Sequence, residues 1–207
     1  MELISYLNSH FFTTEQLLER CGIGLPELEQ LQQRRIMPRA SYRIRLDIGC
    51  DSFFGAHVEQ AAVDYYAKGC PAWFTQTAEL SDEAQARELF LKRYRIRLAE
   101  LAASGIAPSD PAFADDAHLD REWHAFLDGI YGACTVSGLP EDIAAKEASI
   151  AVIREITERG DVGETSLARL RQAVDMLDSV AAPFAPHETA RSSRRRYVDD
   201  VRAAYRL

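Results

Sequence analysis

Glu147 lies between Ile143 and Ile150, at +4 and −3 along a helical pattern, so its carboxylate falls inside an apolar stripe. A carboxylate there has to be paired or protonated, because burying it bare costs several kcal/mol. Lys146, Arg121, His57 or a tyrosine hydroxyl could be its partner, either as a structural ion pair or as a perturbed acid at a pocket. His118 and Glu122 stand four apart, a spacing at which two side chains of one helical face can meet one ion, with Asp115, Asp116 and Asp120 nearby. The chain has neither H-E-x-x-H nor Glu-x-x-His, so a surface hydrogen bond accounts for the pair and no metal site is expected. Cys134 ends the string Gly129-Ile130-Tyr131-Gly132-Ala133-Cys134, a glycine-flanked turn that sets an aromatic beside a thiol. As a nucleophile it needs a base or a positive neighbour, and none is adjacent in sequence; glycines that permit close packing are the other explanation.

The remaining chemistry is sparse. Cys21, Cys50, Cys70 and Cys134 are scattered, without the short paired spacing of structural zinc. No phosphate-cradling glycine loop, dinucleotide fingerprint or G-x-S-x-G elbow occurs, which weakens the nucleotide-dependent enzyme classes, and no cofactor is expected. Aromatics cluster in two stretches, Tyr65-Tyr66 to Trp73-Phe74 and Trp123 to Tyr131. With His57, Cys134 and Glu147 they make a candidate ligand pocket of His57, Tyr65, Trp73, Trp123, Tyr131, Cys134 and Glu147.

The elements that must position these groups read as helices. Thr13, with Gln16 three residues on, has the pattern of a capping box for a helix that stops at Gly22. Pro26 opens a second helix, carrying Leu28 and Leu31 inward. Ser41–Ile48 alternates with a period of two and reads as a short wing strand, and Ser52 to Lys68 reads as a helix capped by Gly69. A short aromatic helix follows Pro71, then a long one from Ser81 to Ser104 striped by Phe90, Tyr94, Leu98 and Leu101. Gly105 to Ala117 is a candidate loop or lid. Helices through Trp123–Ile130, Pro140–Gly160 and Leu167–Leu177, the last capped by Ser166, lead to a final one from Ser192. The expected fold is all-α or mainly α: a small winged helix-turn-helix-like head, residues 1–48, and an all-helical body, residues 49–207.

Charge divides along the same line. The chain of 207 residues has a net charge of −8, yet residues 1–46 hold six arginines against five acids. An acidic body repels nucleic acid, so any DNA contact falls to the head. Arg34, Arg35, Arg39, Arg43 and Arg45 form an acid-free basic run there, a candidate DNA-binding surface. Glu27 and Glu29 on the second helix count against it, since carboxylates facing phosphates cost affinity. The apolar runs are too short to span a bilayer and the first residues lack a signal pattern, so a cytoplasmic protein without a membrane partner is expected.

The string Phe12-Thr13-Thr14-Glu15-Gln16-Leu17-Leu18-Glu19-Arg20-Cys21-Gly22-Ile23, continued by Leu28, Leu31, Ile36, Met37 and Pro38, resembles the MerR-type winged helix-turn-helix. That resemblance implies a DNA-reading head, but where such heads carry an Arg-aromatic pair this chain has Glu29 and Gln30. The whole layout, with the two aromatic stretches and Pro140-Glu141-Asp142-Ile143, is similar to an uncharacterised bacterial family labelled as natural-product biosynthesis proteins, which implies genomic company and no catalytic residues. Three functions stay open. A binding or accessory protein, for a small molecule or a protein partner, would enclose an aromatic cavity from Tyr65, Tyr66, Trp73, Trp123 and Tyr131. A regulator would dimerise and expose the arginine run. A cofactor-independent enzyme would converge His57, Tyr131, Cys134 or Glu147 in a concave site. Acid-rich helices and the aromatic C-terminal segment (Tyr197, Val201, Tyr205) permit a homodimer.

Overall fold

The computed structural model describes residues 2–160 and 163–207. Helix α1 (Glu2–His10) leads into strand β1 (Phe11–Thr13), α2 (Thr14–Cys21) and α3 (Leu25–Gln33). The Thr13 hydroxyl accepts from the Gln16 N–H while Gln16 Oε1 accepts from the Thr13 N–H, so the capping box is present in both directions. Gly22, at φ +68°, ends α2 in the left-handed conformation that glycine adopts without strain.

Strands β2 (Tyr42–Ser52) and β3 (Gly55–Ala67) form a long antiparallel hairpin, and β1 adds to β3 at Tyr65–Ala67, giving the order β1-β3-β2. The fold is therefore mainly α with a small three-stranded sheet, and the expectation of an all-helical body from residue 49 is corrected. Ala56, Ala61 and Ala62 favour helix by propensity, which is why Ser52–Lys68 reads as one. The eleven-residue register with β2, from Tyr42↔Tyr65 to Ser52↔Gly55, overrides that preference. The division at 48/49 consequently falls inside β2.

Beyond the hairpin come α4 (Cys70–Thr77), α5 (Glu83–Ala103), α6 (Asp116–Leu127), α7 (Ile130–Cys134), α8 (Pro140–Arg159), α9 (Glu164–Val180) and α10 (Asp200–Tyr205), the last entered through a π turn at Arg195–Asp199. Gly69 stands at the start of α4 rather than at the end of a preceding helix, and α9 begins two residues before Ser166, from Gly163. The segment between α5 and α6 holds only a 3-10 turn, Pro111–Ala114.

Two apolar clusters carry most of the core. In the first, Leu17, Leu28, Leu31, Ile36 and Met37 pack with Trp73, Phe90, Tyr94, Trp123, Phe126 and Ile143. The N-terminal helices thus share one core with α4, α5, α6 and α8. The second cluster joins Leu101, Val152, Ile153 and Ile156 to Leu170, Val174, Leu177, Val198 and Val201. A third, small cluster of Leu7, Phe11 and Tyr65 anchors the root of the hairpin.

Candidate functional site

Helix α6 starts where Asp115 accepts a hydrogen bond from the His118 backbone N–H at 2.7 Å, a cap that fixes the angular position of the helix. One turn later come Glu122, then Trp123 and Phe126 in the core, so His118 and Glu122 share the face turned toward α5 and α8. Both are buried, at 8% and 7% exposure. His118 Nε2 lies 3.1 Å from the Tyr94 hydroxyl of α5 and 3.8 Å from Glu122 Oε1. The Tyr131 hydroxyl of α7 donates to Glu122 Oε2. From α8, Lys146 and Glu147 form an ion pair at 2.6 Å, and Lys146 Nζ sits 5.6 Å from the centre of the Tyr131 ring. Four helices therefore bring two tyrosines, a histidine, two glutamates and a lysine together.

These groups back onto a cleft of about 460 Å³ between α6 and α8, lined among others by Phe113, His118, Arg121, Glu122, Glu147 and Arg154. Burial, with the Glu147 charge adding to it, pushes the Glu122 carboxyl up to about 7 against the opposing pull of Tyr131, Lys146 and Arg121. Burial also drives the Tyr131 and Tyr94 phenols well above the tyrosine range, so both stay protonated donors. His118 is pulled down by burial and by the Arg121 charge, which favours the neutral imidazole. In the Nδ1–H tautomer its Nε2 accepts from Tyr94. Burial pulls Lys146 down, but Glu147, the Cys134 thiol and Glu122 outweigh it, and the ammonium is held charged. The arrangement is an acid–base set: a carboxylate that exchanges its proton near neutrality, a neutral imidazole beside it, and a phenol that stabilises the ionised carboxylate.

The sequence-derived pocket is only partly assembled. Tyr131 and Glu147 belong to this site, with Lys146 as the partner of Glu147. His57 does not belong: it sits on the exposed hairpin beside Glu59, 3.5 Å away, because the segment that carries it is a strand and not a packed helix. Tyr65 packs at the hairpin root and donates to Asn8 Oδ1 at 2.9 Å. Trp73 and Trp123 fill the main core, their indole N–H groups donating to the Ile36 carbonyl and Glu83 Oε1. The expected aromatic cavity is thus replaced by packed rings. The void beside Trp73, Phe126, Gly129 and Gly132 measures about 10 Å³, room for no more than one water. Cys134 is half-buried and its thiol is pushed up to about 11 by burial, so it is not a poised nucleophile. Glycines 129 and 132 stand where there is no room for a side chain: a Cβ on Gly129 would come within 2.7 Å of the Arg39 and Ala40 carbonyl oxygens, and one on Gly132 would meet the Ser41 and Ala67 side chains.

In the sequence Glu122 reads only as half of a metal pair, and Tyr94 only as part of the apolar stripe of α5. The i,i+4 spacing of His118 and Glu122 is the available signal; what it does not carry is the burial of the pair and the Glu147 charge, which raise the carboxyl, and the Tyr131 hydroxyl, nine residues on, that donates to it. Among the described residues no group of three or more histidine, cysteine or carboxylate side chains is gathered as a metal site would require. The arginine run is largely engaged within the chain. Arg34 donates to the Leu80 and Ser81 carbonyls, Arg35 pairs with Glu83 at 2.7 Å, Arg39 with Asp128 at 3.8 Å, and Arg43 grips Asp64 through two bonds of 2.6 Å. Glu27 and Glu29 are exposed on α3. No described helix is long and apolar enough to cross a membrane.

Comparison with curated proteins and with solved structures gives no match. A family profile does match, over residues 86–206, a span that contains every residue of the acid–base set and of the cleft. The chain belongs to a family of unknown function, DUF6058.

Proposed function

We propose that the protein binds a small molecule in the cleft between α6 and α8 and exchanges a proton with it through Glu122. The observation that carries this reading is the pairing of His118 and Glu122 in the lining of an open cleft, with the Tyr131 hydroxyl donating to Glu122. A carboxyl held near neutral pH in the lining of a concave site is what general acid–base chemistry needs. Phe113, Ile150 and Ala151 give the cleft an apolar wall, while Arg121 and Arg154 supply charge for orientation. The resemblance to natural-product biosynthesis proteins fits a small organic ligand of this kind.

The test is a side-chain carbon NMR titration of glutamate-labelled protein, with Glu122→Gln used to assign the resonance. A Glu122 midpoint near 7, moved by small molecules that raise the melting temperature of the wild type and not of Glu122→Gln, is the expected result. A midpoint in the ordinary carboxylate range would remove the acid–base reading.

A DNA-binding regulator has one observation in its favour: two short helices across a tight turn, α2 and α3, are followed by a hairpin, the order of a winged helix-turn-helix. Its phosphate-binding charge is the weak point, since Arg34, Arg35 and Arg43 are already engaged. Retention on duplex DNA that fell steeply with salt would support this reading over the first.

A further inference from the structure

The hairpin β2–β3 reaches away from the helices. From Asp47 to Gln60 every residue is exposed, and the tip residues Phe53 and Phe54 are 96% and 95% exposed. A two-stranded ribbon alone is marginal in water, and its open edges invite pairing with another chain. Edge strands are commonly blunted by lysine, proline or a bulge. Strand β2 has none of these: its register with β3 is unbroken from Tyr42 to Ser52 and its sequence contains neither lysine nor proline. The outer edge of β3 is flanked at its base by β1, which leaves β2 as the strand open along its whole length.

The molecule also carries more surface than its mass calls for. Its accessible area is 11508 Å² for 23.2 kDa. A compact monomer of that size exposes about 9,700 Å², so the excess is about 1,800 Å². A standard interface removes about 800 Å² from each partner.

We propose that β2 pairs antiparallel with β2 of a second copy of this chain, about a two-fold axis at Ile48, to join the two three-stranded sheets into one of six strands. The charges select that register. Along the charged face of the arm, Arg43 is matched across the hairpin by Asp64, and Asp47 by Gln60. Arg45 and Asp51 instead face Ala62 and Ala56, and neither has an ion-pair partner among the described residues. A two-fold at Ile48 sets Arg45 of each copy opposite Asp51 of the other, twice per dimer. It also sets Leu46 opposite Cys50 and carries each Phe53-Phe54 tip to the base of the other arm, beside Tyr42 and Arg43. The self-complementary contact is isologous and closes, so it stops at two copies.

Sedimentation equilibrium of the full chain tests this. The wild type is expected at twice 23.2 kDa. Arg45→Asp and Asp51→Arg are each expected at the monomer mass, because each sets like charges against one another. The double exchange Arg45→Asp with Asp51→Arg is expected to restore the dimer. Far-UV circular dichroism checks that helix content is unchanged in all three variants. A monomer at every concentration overturns the pairing and leaves the arm to another macromolecule. A dimer indifferent to the single reversals, or a double exchange that stays monomeric, overturns this register.

Discussion

The four cysteines differ in surroundings more than in sequence context, and that difference sets their reactivity. Cys50 lies exposed on the hairpin, while Cys70 is buried with its thiol pushed up to about 12 by burial and by the nearby Cys21. Cys134, pushed up to about 11, has on the order of a hundredfold less thiolate at neutral pH than an ordinary cysteine. A disulfide reagent such as DTNB should therefore label Cys50 first, and Cys50→Ser should remove the fast phase. If the fast phase persisted and disappeared instead in Cys134→Ser, the case for a cysteine nucleophile at Tyr131 and Cys134 would return. At this scale the sequence was informative about which residues are unusual and offered several partners for them without choosing one. Glu147, placed by the sequence inside the apolar stripe between Ile143 and Ile150, is only half-buried, and it is its buried neighbour Lys146, one of the partners weighed for it, that pairs with it. That Glu122 is the carboxyl raised toward neutrality depends on its burial and on the Glu147 charge of α8, against the opposing pull of Tyr131, which no spacing along α6 encodes.

Elements bounded by strong punctuation were readable: the Thr13 capping box, Gly22, and the proline-led starts of α4 and α8 all fall where turn and cap chemistry puts them. The hairpin was not, because β3 is alanine-rich and takes its conformation from β2 rather than from itself. Helix α1 was missed for a related reason, being held mainly by the single buried residue Leu7 against Phe11 and Tyr65. The glycines of the α6–α7 turn have a packing role that can be measured. Gly129 has φ +75° and no room for a Cβ beside the Arg39 and Ala40 carbonyls, whereas Gly160 has φ +74° and no atom of the described residues within 4 Å of such a Cβ. Gly160→Ala should lose only the left-handed backbone cost, about 1–2 kcal/mol. Gly129→Ala should lose clearly more, as the Arg39–Ala40 strand entry is pushed off the turn, with urea midpoints of the two variants giving the comparison. Equal losses would mean that the close approach at Gly129 relaxes freely.

For the whole molecule, the raised Glu122 carboxyl ties folding stability to pH. The Glu122 carboxyl titrates near 4.5 in the unfolded chain and at about 7 in the folded one. Between these values the folded state holds a proton that the unfolded state has released, so stability falls as pH rises through this window and levels off above it. Below pH 4.5 both states are protonated and the site costs nothing. The shift of about 2.5 units sets a ceiling of about 3 kcal/mol on the loss. Glu122→Gln keeps a carbonyl oxygen to accept from the Tyr131 hydroxyl and cannot ionise. Its unfolding free energy relative to wild type should therefore be near zero at pH 4.5, rise through neutrality, and plateau above pH 8 in favour of the variant. Titrating groups that do not feel the Glu122 charge cancel in the difference, and those that do among the groups around it, Lys146, Tyr94, Tyr131 and Cys134, are all held protonated across this window. A difference that stays flat with pH would mean that Glu122 is ionised at ordinary cost in the fold, and the cleft would then be a binding surface without a proton to exchange. A rising difference, joined to loss of ligand-induced stabilisation in the same variant, would identify a group retained at a stability cost because the cleft uses it.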